Sequence, residues 1–257
     1  HVVIESDGNQ SLWGGVRPPA VESTPDFIQA VRDSGIVGLG GAAFPVSVKY
    51  SPQNLEMVDT LVVNGAECEP YITSDYRTML EDTHYILDGI ETIMKWLNLK
   101  ECYIGIEDNK PEAIAKFYEM LEGKYNIRIV ILKSKYPRGA EKVIIRETTG
   151  KVLLPGKLPA DIGVLVSNVA TVGFLGKYMA TGIPLIDKRI TVDGDAVATP
   201  KNLLVPLGTK IYKVIEACGG YKAPPAKIIM GGPMMGRAIY TDGKPIIKNN
   251  NAILAFD

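Results

Sequence analysis

Apolar positions along the chain follow two alternating rhythms. Thr60 to Asn64 (TLVVN) is a short run dense in branched side chains, the pattern of a buried strand. After a loop, Ile86, Ile90, Ile93, Met94 and Leu97 fall on one face of a helix predicted over Glu81 to Leu97. The unit then repeats. ECYIGIEDN reads as a strand, Pro111 opens a helix with Ile114, Phe117, Tyr118 and Leu121 in register, and IRIVIL reads as the next strand. Strands alternating with amphipathic helices predict an α/β fold with a parallel sheet covered on both faces.

Before this region, a Pro-rich linker (WGGVRPPAVES) leads to Ser23-Thr24-Pro25-Asp26, a hydroxyl cap, an early proline and an acid at the positive end of a helix. Ile28, Val31 and a stop at Gly35 complete one short helix. The uncharged run IGVLVSNVATVGFLG, between Asp161 and Lys177, is shorter than the roughly 20 apolar residues of a bilayer span. It carries Ser167, Asn168 and Thr171, and reads as a buried strand entering a helix. From Lys188 the pattern changes to short strands with turns (RITVDGDAV, LLVPLGTK, KIIMGGPMMG) around one helix, YKVIEACGG, as in a small β-grasp-like domain. The expected divisions are an upstream remnant with linker over 1–22, an α/β domain over 23–187 and the small domain over 188–257.

Composition narrows the classes. Over 257 residues the net charge is -1 and 22% are charged, so no basic footprint for nucleic acid is present. Three cysteines, Cys68, Cys102 and Cys218, are too few for the four-thiolate cage of an iron-sulfur cluster and suit a reducing compartment. The first residue is His1, and HVVIESDG reads as a strand ending in an Asp-Gly turn, so the chain is expected to begin inside a longer protein. NNNAILAFD, ending on an apolar stretch without a cap, gives the same expectation for the far end.

In parallel sheets, ligands sit beyond the carboxyl ends of the strands, which puts GAECEP (after Asn64) and EDNK (after Ile106) on the ligand edge. GLGGAA, Gly38 to Ala43, matches a dinucleotide pattern literally, but a helix precedes it where that pattern requires a strand. An ordinary glycine turn and a cradle for a phosphate or flat ring both remain open, with Lys49 close behind as a charge for phosphate. Glu67 and Glu69, two apart, point the same way in extended chain, with Cys68 opposite. They could hold a cation, exchange protons, accept hydrogen bonds from ribose hydroxyls, or form a solvated acidic turn. A metal lacks histidine support, since His84 lies in a helical segment and His1 is terminal.

Together GIVGLGGAAFP, Lys49, VVNGAECEPYITSDYR, EDNKPEA, KYPRGAEK, LPADIGVLVSNVAT and GGPMMG resemble one family from about Gly35 onward. It is the C subunit of the Rnf complex, a membrane-associated, ion-translocating ferredoxin and NAD oxidoreductase, itself similar to the flavoprotein subunit of respiratory complex I. The resemblance implies a Rossmann-like, mostly parallel sheet followed by an SLBB domain from Lys188 to about Arg237. It implies FMN against Gly38, Gly40, Gly41 and Phe44, with Lys49 near its phosphate and Asn64 in contact at the strand end. Glu67 and Glu69 would lie beside the flavin and the nicotinamide half of NADH. Tyr136, Gly139 and Glu141 match the next ligand loop, and Ser167, Asn168 and Thr171 the segment over the FMN phosphate and ribityl chain.

By the same resemblance the chain transfers hydride between nicotinamide and FMN and passes single electrons to 4Fe-4S clusters. Those clusters belong to the full-length protein, not to this chain. The partners are other subunits of a membrane electron transport complex, with ferredoxin acting indirectly, at the cytoplasmic face of the membrane. No catalytic side chain and no metal ligand is expected. The pattern departs from the complex I flavoprotein at Leu39 (arginine there), Val46 (threonine), Ala140 (glutamate) and Ser167 (asparagine). A cobalamin reductase of the same superfamily shares NGAECEP, and a docking subunit that has lost nucleotide binding would keep the fold. Cys68 reads as a packed thiol, and Met234-Met235 as turn and core packing rather than sulfur ligands.

Overall fold

The computed structural model describes residues 8–257, so the strand expected at the start of HVVIESDG lies outside the described residues. Helix α1 (Thr24–Asp33) begins where the sequence places it: the Ser23 hydroxyl accepts the Asp26 N–H at 3.3 Å, and Phe27, Ala30 and Val31 are buried. The glycine segment is a loop closed by a bridge between Val37 and Pro45, followed by the single turn α2 (Val46–Lys49). Then come β1 (Thr60–Gly65), α3 (Ser74–Glu81), α4 (Thr83–Trp96), β2 (Glu101–Glu107), α5 (Pro111–Met120), β3 (Ile127–Leu132), α6 (Glu141–Thr149), β4 (Val164–Asn168) and α7 (Val169–Thr181).

The four strands form one parallel sheet in the order β3-β2-β1-β4. Each face carries its own apolar cluster. On one, Leu61, Val63, Ile104 and Ile106 meet Ile86, Ile90 and Ile93 of α4, and each fully buried isoleucine stabilises the fold by about 2 kcal/mol. On the other, Val62, Val164 and Val166 meet Ile144 and Ile145 of α6. Helices α4 and α7 cross so closely that a Cβ at Gly89 would run into the Val172 carbonyl, and one at Gly176 into the Tyr85 carbonyl.

Two helices correct the sequence reading. The helix predicted from Glu81 is α4, starting at Thr83, but a separate helix precedes it: α3 occupies the end of YITSDYR, where short polar residues give no apolar period, and the two meet at Asp82. The segment read only as a ligand loop, KYPRGAEK, enters α6 at Glu141, with Ile144 and Ile145 covering the second face of the sheet.

A second, mixed sheet follows. Its strands are β5 (Asp187–Asp193), β6 (Lys201–Pro206), β7 (Lys227–Met230), β8 (Arg237–Ile239) and β9 (Ala252–Phe256), in the order β6-β5-β9-β7-β8. The central pair β5 and β9 is parallel and the other pairs are antiparallel. Helix α8 (Ile211–Ala217) buries Ile211, Val214 and Ile215 against this sheet. The two sheets are tied by Arg189, whose guanidinium pairs with Glu81 and Asp82, and by Thr73, whose N–H donates to Thr191 Oγ1 at 2.9 Å.

Candidate functional site

Strand β1 has β2 on one side and β4 on the other, so the crevice between the carboxyl ends of β1 and β4 is the switch point of this sheet, the place where such folds bind ligands. Asn64 lies opposite Asn168 there. The glycine loop lies over this crevice. Leu39 N–H donates to Thr171 Oγ1 at 3.0 Å, and Gly40 packs on Asn168, where a Cβ would come within 3.3 Å of that side chain. Asn168 in turn caps α7, accepting from the Ala170 and Thr171 N–H groups at 3.0 and 3.3 Å.

The loop is held by its own main chain, Gly38 N–H to Phe44 O at 2.8 Å and Ala43 N–H to Gly38 O at 3.2 Å. Gly41 has φ +104°, a conformation that suits glycine, and a Cβ there would meet open space. At the exposed tip, the N–H groups of Gly40, Gly41 and Ala42 make no hydrogen bond among the described residues. Phe44 is half-exposed beside them. Three exposed donors without a partner and a half-exposed aromatic ring at a switch point suit an anionic or carbonyl-rich flat ligand. Because α1 precedes the loop, it is not the strand-turn-helix fingerprint.

The opposite wall is a connected set. Asn64 Nδ2 donates to Gly139 O at 2.8 Å while its Oδ1 accepts from Ala66 N–H at 3.1 Å. Cys68 Sγ accepts the Gly139 N–H at 2.9 Å, and burial raises this thiol above its ordinary value, as expected for a packed, unreactive cysteine. Lys49 Nζ donates to Val166 O at 2.9 Å and pairs with Glu141 at 3.2 Å. Ser167 is buried and shares a 2.7 Å hydrogen bond with Tyr50, so its hydroxyl is turned into the core. Tyr136 stands half-exposed at the rim.

The acidic loop corrects the expectation that Glu67 and Glu69 share one side. The chain here is an irregular loop beyond the end of β1, and the two carboxylates go to different partners. Glu67 caps α3, its oxygens accepting from Asp75 N–H at 2.8 Å and Tyr76 N–H at 3.2 Å. Its own N–H donates to Glu107, which also holds Lys110 at 3.1 Å in a buried ion pair. Asp75, buried, accepts from Asn168 Nδ2 at 2.6 Å. Burial first, and the Asp75 carboxylate second, push Glu67 up to about 8; burial raises Asp75 as well.

Glu69 reaches into the second sheet and accepts from the Met234 and Met235 N–H groups at 3.0 and 2.8 Å, over Gly232, where a Cβ would collide with the carboxylate. The two methionine side chains are 47% and 82% exposed, so GGPMMG is a turn but not core packing: its main chain, not its sulfur atoms, makes the contact. A cleft of about 470 Å³ opens among the loops that follow β1, β2 and β3, lined by Glu67, Glu69, Lys110 and Tyr136.

The structure therefore gathers Gly38, Gly40, Gly41, Phe44, Asn168 and Thr171 on one wall, and Asn64, Gly139, Glu141 and Lys49 on the other. Sequence reasoning assigned no role to Asp75, Tyr50 or Lys188. Asp75 carries a signal, an acid in the first turn of a helix; a lone lysine opening a strand carries none. No group of three or more metal-ligating side chains that could hold an ion, and no helix long and apolar enough to cross a membrane, is found among the described residues.

Comparisons with known proteins bear on the family and the fold. The Nuo51 FMN-binding domain family matches residues 31–175, and the SLBB domain family residues 189–238. The C subunit of the proton-translocating ferredoxin:NAD(+) oxidoreductase complex of Clostridium ljungdahlii is 44% identical, over 98% of this chain and 56% of its own length. Its counterpart in the Na(+)-translocating complex of Acetobacterium woodii is 38% identical, over 98% and 58%. The chain thus spans a little over half the length of these relatives. A crystal structure of an NAD+-reducing NiFe hydrogenase in the H2-reduced state superposes with a TM-score of 0.74 at 18% identity, covering 91% of this chain and 47% of that one, a likeness of fold. The resemblance read from the motifs holds: the chain is similar to C subunits of ion-translocating oxidoreductase complexes and belongs to the Nuo51 FMN-binding domain family, with an SLBB domain match following it.

Proposed function

We propose that this chain is the FMN- and NAD(H)-binding part of one subunit of a membrane-associated, ion-translocating ferredoxin:NAD oxidoreductase. The observation that carries the reading is the glycine loop, whose exposed tip at the β1/β4 crevice holds three N–H groups without a partner among the described residues, with Phe44 close by in the chain. The cradle suits a flavin: Gly41 leaves the approach open, and Lys49, on the single turn after the loop, supplies a cation paired with Glu141. When bound, FMN supplies the step between two-electron hydride exchange with nicotinamide and one-electron exchange with 4Fe-4S clusters outside this chain.

The chain's own groups bind and orient. The Gly40 to Ala42 amides donate to the ligand, Lys49 adds positive charge, and Asn64 and Asn168 fix the two strand ends. Tyr136 and Glu69 flank the cleft that would seat the nicotinamide side. Ferredoxin acts indirectly, and the other subunits hold the chain at the cytoplasmic face.

The test is reconstitution with FMN followed by NADH. Bound flavin absorbing near about 450 nm should bleach. Bound flavin that does not bleach removes the nicotinamide role, and failure to bind either compound leaves a docking subunit. That second reading has one observation in its favour, since Glu69 is already occupied by the second sheet. A corrinoid acceptor distinguishes the cobalamin reductase.

A further inference from the structure

The flank of the glycine loop is gripped by residues on and flanking the second sheet. Leu185 N–H donates to Ser34 O at 2.9 Å, Lys248 Nζ to Gly35 O at 2.5 Å, and Lys188 Nζ to Leu39 O at 3.1 Å. Lys188 is 5% exposed, and its ammonium also donates to Lys248 O at 2.9 Å. It shares a cavity of about 70 Å³ with Leu39, Asp75 and Asn251. Burial of a lysine with only two carbonyl acceptors and one acid nearby is costly, and such a group persists where it holds something in place.

The peptide between Leu39 and Gly40 shows what that is. A trans peptide is planar, with its C=O and N–H opposed, so fixing the Leu39 carbonyl inward on Lys188 aims the Gly40 N–H outward. The preceding Gly38–Leu39 peptide is held separately, its N–H on Thr171, so the Lys188 contact is what sets the plane that follows. A charged donor on the carbonyl also polarises the peptide and strengthens its N–H as a donor.

We infer that Lys188, on the first strand of the second sheet, is a positioning residue for the ligand loop: by holding the Leu39 carbonyl it orients the Gly40 amide at the loop's tip, so that flavin affinity depends on the second sheet. The ligand in this statement rests on the FMN reading above; the geometry does not.

Lys188→Met removes the donor at similar length. In the FMN-free protein, the Leu39 and Ala43 amides should exchange about tenfold faster or more, while unfolding stays cooperative. FMN should bind about tenfold more weakly or worse, and Lys188→Arg should restore both readouts. A folded Lys188→Met protein with wild-type exchange and wild-type FMN affinity overturns the inference, as does failure of the arginine to rescue either. Should the methionine variant not fold, Lys188→Met with Asp75→Asn removes the stranded acid and is read against the same two outcomes. If the wild-type protein binds no FMN, the functional reading fails, and the exchange result alone judges Lys188.

Discussion

The Glu69 carboxylate accepts the Met235 N–H at 2.8 Å, joining the loop after β1 to the GGPMMG turn of the other sheet. A residue expected to face a nucleotide is thus engaged between domains. Glu69→Ala should speed exchange of the Met234 and Met235 amides and reduce stability by about 1–2 kcal/mol. Gly232→Ala should do the same from the other side, by pushing the carboxylate away. Unchanged exchange in both variants would remove the tie.

The carboxyl of Glu67 gives a pH dependence of defined sign. Its ordinary value is 4.5 and burial with Asp75 lifts it to about 8, so between these values the folded state holds a proton that the unfolded state has lost. Its contribution to stability is full below about 4.5 and disappears as pH rises through 8. Facing it are Asp75 and Ser74 of α3, with Lys110 nearby. Glu67→Gln should flatten that fall in urea titrations at pH 5, 6.5 and 8; an equally steep slope in the variant contradicts the shift. Lys188, pushed down from 10.5 to about 8, acts in the opposite sense above that range, where its burial penalty is relieved as it loses its charge.

Helix packing can be tested at Gly89 and Gly176. Alanine in an exposed helix interior gains about 1 kcal/mol over glycine. Here each added methyl meets a carbonyl of the facing helix, so Gly89→Ala and Gly176→Ala should each destabilise by roughly 3 kcal/mol. Denaturation midpoints at or above wild type would show that α4 and α7 stand further apart.

Lys49 offers a test of the flavin cradle that leaves the core alone. Its ammonium is held by Val166 O and the partly exposed Glu141, so Lys49→Met should change thermal stability little while weakening FMN binding about tenfold or more, measured by flavin fluorescence. Equal affinity would place the phosphate elsewhere.

The strands and the larger helices were legible in the sequence because their apolar periods are strong: IRIVIL is β3 residue for residue. Helix α3 was hidden, since its start depends on Glu67, which lies seven residues before Ser74 and outside any local pattern. The separate destinations of Glu67 and Glu69 were equally invisible, because one is decided by a helix end and the other by a turn 165 residues away. Lys188 shows the same limit: nothing in KRITV says that its ammonium ends under a glycine loop 149 residues earlier in the chain.

The place of β1 between β2 and β4 bears on how the protein is made. Thr60 pairs with Val164, so as the polypeptide leaves the ribosome one edge of β1 stays open until β4 and α7 have emerged. The crevice between β1 and β4 is then the last feature of its sheet to form, and a nascent chain stalled before Val164 would present an apolar strand edge for chaperones or for self-association.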